Sequence, residues 1–337
     1  MGTYLLRRAL LMVPTLLGIT LITFAIMRLA PGDPVAMSVG GDMASGEGAS
    51  LTRGQQEVIR QRKIDLGLLG ADGNPISIPV QYLNWVGRIA RLDFGESFKD
   101  KEPVVGKIAR ALPITVMLSL TSILIAYLVA VPIGVFSAVR RNTIPDHAVS
   151  TLLFFLWSFP TFLAGTLLIL TVGRADWLPF VGLHSPGSER LGYLPWVWDH
   201  GEHVVMPLAC LTYASFAALS RFVRTGMLEN LGLDYVRTAR SKGLPERDVI
   251  LRHALRNSLI PVITILANIL PALIGGSVVV ELIFTIDGMG YLGFQSILSR
   301  DYPVIMAIAT FSAVLTMIGM LVSDVLYCVV DPRISLH

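Results

Sequence analysis

Six long uncharged stretches constrain the fold of this chain more than any other feature of its sequence. Each has at least 18 residues, and an α-helix needs about 20 residues to cross a hydrocarbon core of about 30 Å. They are residues 9–27, 112–139, 147–173, 203–220, 257–280 and 302–323. The pattern predicts an all-α, polytopic membrane protein with six transmembrane helices. A β-barrel is disfavoured, because membrane strands are shorter and alternate with a two-residue period.

The composition agrees with this prediction and narrows the function. Hydrophobic residues make up 53% of the chain and charged residues 15%, and the mean hydropathy is +0.64, too apolar for an ordinary soluble domain. The sequence has no G-x-x-x-x-G-K-[ST] phosphate loop, so this chain cannot itself hydrolyse ATP in the way that P-loop proteins do. We expect contact with membrane lipid and none with nucleic acid.

The distribution of basic residues predicts the orientation. With the N-terminus inside, the four inside segments hold 13 Lys or Arg, and the two short outside segments hold three. The long outside segment, 31–111, holds ten basic residues balanced by ten acidic ones, and long loops translocate largely regardless of charge. Both termini are therefore predicted to be cytoplasmic.

One polar interruption, residues 221–258, separates two apolar stretches and is called the polar segment. It carries eight Lys or Arg against four Asp or Glu. Its pattern predicts two short helices joined by a glycine hinge. Asp234 can cap the first helix, Gly243 can end it in a left-handed conformation, and Pro245 suits the first position of the second. Basicity alone is typical of any cytoplasmic loop of a membrane protein.

The spacing within the polar segment is more informative than its charge. Ala239 is followed after three residues by Gly243, and nine further residues lead to His253. This order resembles the signature loop of ABC-importer permeases, which reads Glu-Ala-Ala, three residues, Gly, nine residues, Ile-x-Leu-Pro. Four positions depart from that form in a way that resembles the dipeptide and oligopeptide permease branch: Arg237, Thr238, His253 and Arg256.

Two further motifs carry the same resemblance. The first apolar stretch is followed by PGDP, Pro31 to Pro34, and the C-terminal part reads ELIFTIDGMGYLGFQSILSRDYPVI before the closing DPR. Peptide permeases carry these elements in this order over essentially the whole chain. The sequence is therefore identified as a member of the dipeptide and oligopeptide permease family of ABC importers.

The resemblance implies a type I ABC-importer permease fold in a bacterial inner membrane. It implies a heterodimer with a second permease, served by two ATPase subunits and an extracytoplasmic peptide-binding protein. ATP and Mg²⁺ are then used by the ATPase subunits, and this chain binds no cofactor. The implied regions are a first helix at 1–30, an extracytoplasmic region at 31–111, a core at 112–328 that includes the polar segment, and a cytoplasmic tail at 329–337.

The resemblance also assigns the coupling to the ATPase to the polar segment. The first short helix, 235–242, is expected to sit in a groove of an ATPase subunit, with Gly243 as the hinge. The coupling residues are Tyr235, Arg237, Thr238, Ala239, Arg240, Lys242, Gly243, Arg247, His253, Arg256 and Asn257.

A second set of candidates interrupts the fifth apolar stretch. We hypothesise that Asn268, Ser277 and Glu281 line the translocation pathway, because a polar group facing lipid is energetically expensive. Packing between helices is the alternative reading, and it is favoured for the small residues Gly275 and Gly276.

Several alternatives stay open at the level of sequence. Close relatives of this family carry dipeptides, longer peptides, glutathione or nickel. An ion-coupled carrier is weakened by the near absence of charge within the spans, and an intramembrane hydrolase is supported only by the run Gly-Gly-Ser ending at Ser277. His184, His200 and His203 lack metal-ligand spacing, so no metal site is expected.

Overall fold

The computed structural model describes residues 2–29, 35, 52–65, 67–70, 72–259, 262 and 277–330. Within these residues the regular elements are all helical, apart from two isolated β-bridges, which confirms the all-α prediction. The helices are α1 (Gly2–Leu29), α2 (Arg53–Asp65), α3 (Ile78–Ile89), α4 (Val104–Val139), α5 (Ile144–Ser158), α6 (Thr161–Leu168), α7 (Tyr193–Leu231), α8 (Asp234–Ser241), α9 (Glu246–Asp248), α10 (Leu255–Ser258), α11 (Val278–Ile283), α12 (Met289–Leu298) and α13 (Tyr302–Val330). π-Helical turns extend α6 over Ile169–Gly173 and join α9 to α10 over Val249–Ala254.

Four of the described helices are long and apolar enough to cross a membrane. They are α1, α4, α7 and α13, and α5 with α6 adds a fifth if the bent pair is one span. The predicted span at 257–280 lies mostly outside the described residues, so six spans stay a prediction. The outer surface of α1 is strongly apolar and exposed, as at Leu10 and Ile22, which suits contact with lipid acyl chains.

The helices extend beyond the uncharged stretches that predicted them. α7 begins ten residues before 203 and continues to Leu231, so the first part of the polar segment belongs to this helix. Counting uncharged residues finds the part of a helix that suits hydrocarbon. It does not find the parts of the helix beyond those stretches, where charged residues such as Glu202 and Arg224 are compatible with helix.

The uncharged stretch over 147–173 forms two helices with a break between them. α5 and α6 meet at an angle of 95°, and Pro160 stands at the break. Proline has no backbone N–H to donate and disfavours helical backbone at the residue before it. Phe159 is accordingly extended, and the hydroxyl of Tyr213 on α7 donates to its carbonyl at 2.6 Å. This bond satisfies a carbonyl that the broken helix no longer pairs.

The chain forms two compact units, Pro113–Tyr291 with Ile318–His337 and Gly2–Leu112 with Leu292–Met317. In the first unit, α4 and α7 approach closely at Gly134, where an added Cβ would lie 2.6 Å from the Cβ of Val223. The core at this end of the unit consists of Ala130, Ala138, Leu219, Val223, Met227, Val236, Ala239, Val249, Ala254 and Val262.

In the second unit, α3 packs on the end of α1. The ring of Phe24 lies 5.6 Å from Tyr82 and 5.9 Å from Trp85, and Gln81 accepts a hydrogen bond from Arg28. The spacing of apolar residues in α3 suggests that Leu83 lies on the packed face of the helix. In the structure Leu83 is 66% exposed, and Gln81 is buried. The unit has a partly open cavity of about 150 Å³ beside these residues.

The Arg-Asp-Tyr-Pro motif has a structural role in the second unit. The carboxylate of Asp301 is 1% exposed, and it accepts hydrogen bonds from the hydroxyl of Ser97 at 2.5 Å and the backbone N–H of Phe98 at 3.0 Å. It thereby fixes the start of α13 to the segment between α3 and α4.

The close approach of α4 to α7 makes a prediction. Gly134→Ala places its new methyl group 2.8 Å from the backbone carbonyl oxygen of Ser220, so we expect a loss of about 1–3 kcal/mol, the usual range for overpacking. The matched control is Gly106→Ala on the same helix, where the added Cβ meets nothing within 4 Å. Thermal unfolding in detergent measures both variants, and equal midpoints would contradict the packing described for Gly134.

Candidate functional site

Beyond the end of α7, the polar segment forms a first short helix, α8, then a glycine turn, as its pattern predicts, and then a second helical stretch that runs from α9 through π-helical turns to α10. α8 ends at Ser241, Gly243 adopts a left-handed φ of +77°, and α9 begins at Glu246. Two of the predicted helix starts differ from the observed ones by one residue. Asp234 is the first residue of α8, not its cap, and Pro245 is the residue before α9. The N-cap position of α8 is Leu233, which supplies no side-chain acceptor.

The inner face of the polar segment is apolar and completely enclosed. Val236, Val249 and Ala254 are 0% exposed and Ala239 is 5% exposed. These side chains pack against α4 and α7 in the core described above. The first short helix is therefore docked on the ends of two long helices.

Hydrogen bonds reinforce this docking. The hydroxyl of Tyr235 donates to the side-chain oxygen of Asn230 at 2.8 Å, and the Asn230 amide donates to the carbonyl of Gly226 at 2.9 Å. The hydroxyl of Ser258 also donates to the Gly226 carbonyl, at 3.0 Å. Tyr235 is half-buried, and its hydroxyl also lies 3.4 Å from the carbonyl of His253. The start of α8 and the end of α10 are thus both tied to one turn of α7.

The outer face of the polar segment is exposed and basic. An ion pair crosses the turn, because Arg240 donates to Glu246 at 2.7 Å and 3.2 Å. The hydrogen bond from Arg240 holds the pKa of Glu246 below its usual range, so the carboxylate is ionised at neutral pH. Of the predicted coupling residues, Tyr235 and His253 are half-buried and Ala239 is buried. The exposed ones are Arg237, Thr238, Arg240, Lys242, Gly243, Arg247, Arg256 and Asn257.

The candidates for the translocation pathway fall in different surroundings. Asn268 lies outside the described residues. Ser277 is half-buried and caps α11 by accepting a hydrogen bond from the N–H of Val280 at 3.4 Å. Glu281 is 2% exposed, and its carboxylate has internal donors.

Within the first unit, Glu281 on α11 connects α4 to the first residues of α12. Its carboxylate accepts a hydrogen bond from the hydroxyl of Thr115 on α4 at 3.0 Å and from the N–H of Tyr291 at 2.8 Å. The Thr115 oxygen accepts the N–H of Met289 at 2.8 Å. A carboxylate is favourable at the start of α12, because the first N–H groups of a helix have no partners within it.

The sequence did not indicate one further cluster. Asp146 at the start of α5 and Arg224 on α7 form an ion pair in which the Asp146 side chain is 1% exposed. The sequence signals were a single acid beside an apolar stretch and a basic residue inside the polar segment. Nothing in the sequence shows that positions 146 and 224 meet.

His184, before α7, lies close to His200 and His203 in the first turns of that helix. The ring of His184 is 4.7 Å from that of His200 and stacks on Trp196 at 4.9 Å, and His203 lies 3.6 Å from the carboxylate of Asp199. Among the described residues, no group of three or more His, Cys, Asp or Glu side chains is arranged to hold a metal ion. The absence of a metal site therefore stays a prediction.

The fold and the site together define the class of this molecule. It is a helical membrane protein with a basic polar segment that is docked on its long helices. Residues 130–336 match the family described as the binding-protein-dependent transport system inner membrane component. The chain belongs to this family, and the resemblance to ABC-importer permeases is confirmed. It is a bacterial inner-membrane permease and not itself the catalytic subunit.

Similar proteins match over the full length. The oligopeptide transport system permease protein AppB of Bacillus subtilis is 38% identical, with 99% of this chain and 100% of that protein covered. The dipeptide transport system permease protein DppB of Bacillus subtilis is 34% identical, with 100% and 99% covered. A crystal structure of an amino acid ABC transporter with histidines aligns with 68% of this chain and 95% of that chain, at a TM-score of 0.45 and 14% identity.

The enclosure of Glu281 makes a prediction. Gly288→Ala puts a methyl group 2.6 Å from the Glu281 carboxylate and 2.6 Å from the Thr115 hydroxyl, so the hydrogen bonds at the start of α12 must separate. We expect a loss of about 1–3 kcal/mol. Gly201→Ala on α7 is the control, because nothing lies within 4 Å of the added Cβ. An unfolding midpoint for Gly288→Ala as high as that of Gly201→Ala would show that the carboxylate is not held as described.

Proposed function

We propose that this chain is the permease subunit of an ATP-driven importer of dipeptides or oligopeptides. Its family supports the transport role, and the relatives that match over its full length bear the names of peptide permeases. Those names favour peptides over nickel or glutathione. The observation that carries the ATP-driven mechanism is the polar segment, whose apolar face is buried on long helices while its basic face is free to meet another protein.

The proposed assembly is a heterodimer of this chain with a second permease, two ATPase subunits and an external peptide-binding protein. Each permease then has six transmembrane helices and cytoplasmic termini in a type I importer fold. Residues 31–111 lie outside, 112–328 form the core, and 329–337 form a cytoplasmic tail. ATP and Mg²⁺ are bound by the ATPase subunits, and this chain binds neither.

The exposed face of α8 is the proposed contact with the ATPase. Arg237, Arg240 and Lys242 present positive charge there, and Gly243 fixes the direction in which the chain leaves α8. Because Val236 and Ala239 anchor α8 to the long helices, a displacement of α8 by ATP-driven closure of the ATPase dimer moves α4 and α7 with it. Rigid-body motion of this kind changes which side of the membrane the pathway opens to.

The proposed pathway includes Asn268, Ser277 and Glu281. Ser277 is partly accessible at the start of α11. Glu281 is enclosed by Thr115 and the start of α12, so it meets the pathway only in a conformation where α11 and α12 separate. In this proposal the three residues line one side of the translocation pathway, and the second permease lines the opposite side.

The experiment uses the complex purified with its associated subunits from native membranes and placed in liposomes. The wild-type complex is expected to import peptide only with ATP and the binding protein. Gly243→Val is expected to import about tenfold less peptide per ATP hydrolysed, because a β-branched residue at positive φ costs about 1–3 kcal/mol.

Gly243→Asn is the matched control, since Asn tolerates the left-handed conformation, and it is expected to retain most of the coupling. Wild-type coupling in Gly243→Val would refute the role of the turn. Peptide uptake by this chain without any ATPase subunit would refute the proposed function itself.

A further inference from the structure

Asp146 and Arg224 form a two-point ion pair inside the first unit. Arg224 donates from Nη2 to one carboxylate oxygen of Asp146 at 2.8 Å and from Nε to the other at 3.0 Å. Asp146 is 1% exposed and the Arg224 side chain is 28% exposed. A planar guanidinium that meets a carboxylate at two points fixes both direction and distance.

The same carboxylate is held by two further groups. The hydroxyl of Ser137 on α4 donates to Asp146 and itself accepts a hydrogen bond from Nε of Arg224 at 3.1 Å. The backbone N–H of Asn142, in the turn between α4 and α5, donates to Asp146 at 3.0 Å. We call this cluster of Ser137, Asp146 and Arg224 the clamp. It joins the end of α4, the start of α5 and the body of α7.

The clamp lies on the part of α7 that holds the polar segment. Val223 and Met227, on either side of Arg224 along the chain, are 0% exposed and belong to the core that anchors α8. Gly226, two residues further on, accepts the hydrogen bonds of Asn230 and Ser258. One short stretch of α7 therefore contacts the polar segment and the start of α5 together.

α5 is attached to α7 at both of its ends. The clamp holds its start at Asp146, and the hydroxyl of Tyr213 holds the carbonyl of Phe159 just after its last residue. The two attachment points on the α5 side, Asp146 and Phe159, are 13 positions apart, or about 20 Å of helix at 1.5 Å per residue. A helix fixed at both ends follows its partner as a rigid body.

A gain in stability does not by itself explain a buried ion pair at Asp146 and Arg224. Replacing a buried ion pair by apolar side chains of similar volume is often neutral or stabilising, whereas removal of one partner leaves an uncompensated charge. An apolar pair at the same positions could hold the fold together, but it could not fix the direction of α5 as a two-point contact does.

We propose that the clamp is a positioning device that makes α5 move with the polar segment, so that displacement of α8 reaches the break at Phe159 and Pro160. The proposal rests on the proposed function. It assigns Asp146 and Arg224 to the coupling of ATP hydrolysis to transport, although both residues are distinct from the exposed face of α8 that meets the ATPase.

The test uses the complete transporter in liposomes and compares thermal stability with peptide imported per ATP hydrolysed. Asp146→Asn, which leaves Arg224 without its carboxylate, is expected to lower both. The double variant Asp146→Leu with Arg224→Met is expected to regain the wild-type unfolding midpoint but to import about tenfold less peptide per ATP. Glu102→Gln, which breaks an exposed ion pair with Arg110, is the control and is expected to change neither.

A double variant with wild-type import per ATP would overturn the proposal, because the pair would then serve stability alone. Arg224→Lys decides the matter if the double variant does not fold, since it keeps the charge but loses the two-point contact. We expect it to keep the unfolding midpoint and to import at least about threefold less peptide per ATP, and unchanged import would refute the clamp. A wild-type complex that imports no peptide would instead refute the proposed function.

Discussion

Val236 and Val249 bury their side chains completely against α4 and α7, and the position of the polar segment depends on this contact. Burial of one such side chain contributes about 1.5–3 kcal/mol. An exposed ion pair such as Arg240 with Glu246 contributes about 0.2–1 kcal/mol. The apolar face therefore decides where the segment sits, and the charged face stays available for a partner. Under the proposed function, this division of roles lets the segment pass a displacement on to α4 and α7.

A second constraint comes from the solvent. In a hydrocarbon core each unpaired backbone group costs several kcal/mol, so irregular backbone persists only where protein or water satisfies it. The break after α5 obeys this rule through the hydroxyl of Tyr213. The start of α12 lies between two of the uncharged stretches, and there Glu281 and Thr115 accept the N–H groups of Tyr291 and Met289. Both interruptions of helix are thus supported by side chains from other helices, which couples local backbone irregularity to the packing of the whole first unit.

The sequence predicted those features that depend on local pattern. Uncharged stretches located the described long helices, and the spacing around Gly243 predicted the turn and its left-handed backbone, because only short-range geometry is involved. The outward position of the basic residues of α8 was implied by the family resemblance and not by this spacing. The sequence did not predict the additional turns of α7, because charged residues outside the uncharged stretches are as compatible with a helix as with a loop.

Contacts between distant positions could not be predicted from one sequence. Asp146 and Arg224 are 78 residues apart, and the pairing of Tyr213 with Phe159 depends on how α7 packs beside α5. Glu281 shows the same limit. A charged residue in an apolar stretch suggested that Glu281 lines a translocation pathway. In the structure its carboxylate instead accepts hydrogen bonds from α4 and α12. The periodicity of the sequence does not show these donors.

The most direct measurement is photo-crosslinking from position 237 in native membranes. A photoreactive amino acid replaces Arg237, whose side chain is 72% exposed on the outer face of α8, and the products are identified by mass spectrometry. The same substitution at Arg110, which is 67% exposed in the other unit, is the control. We expect position 237 to capture an ATPase subunit and position 110 to capture none. Capture of the ATPase from position 110, or of no ATPase from position 237, would contradict the assignment of α8 as the coupling surface.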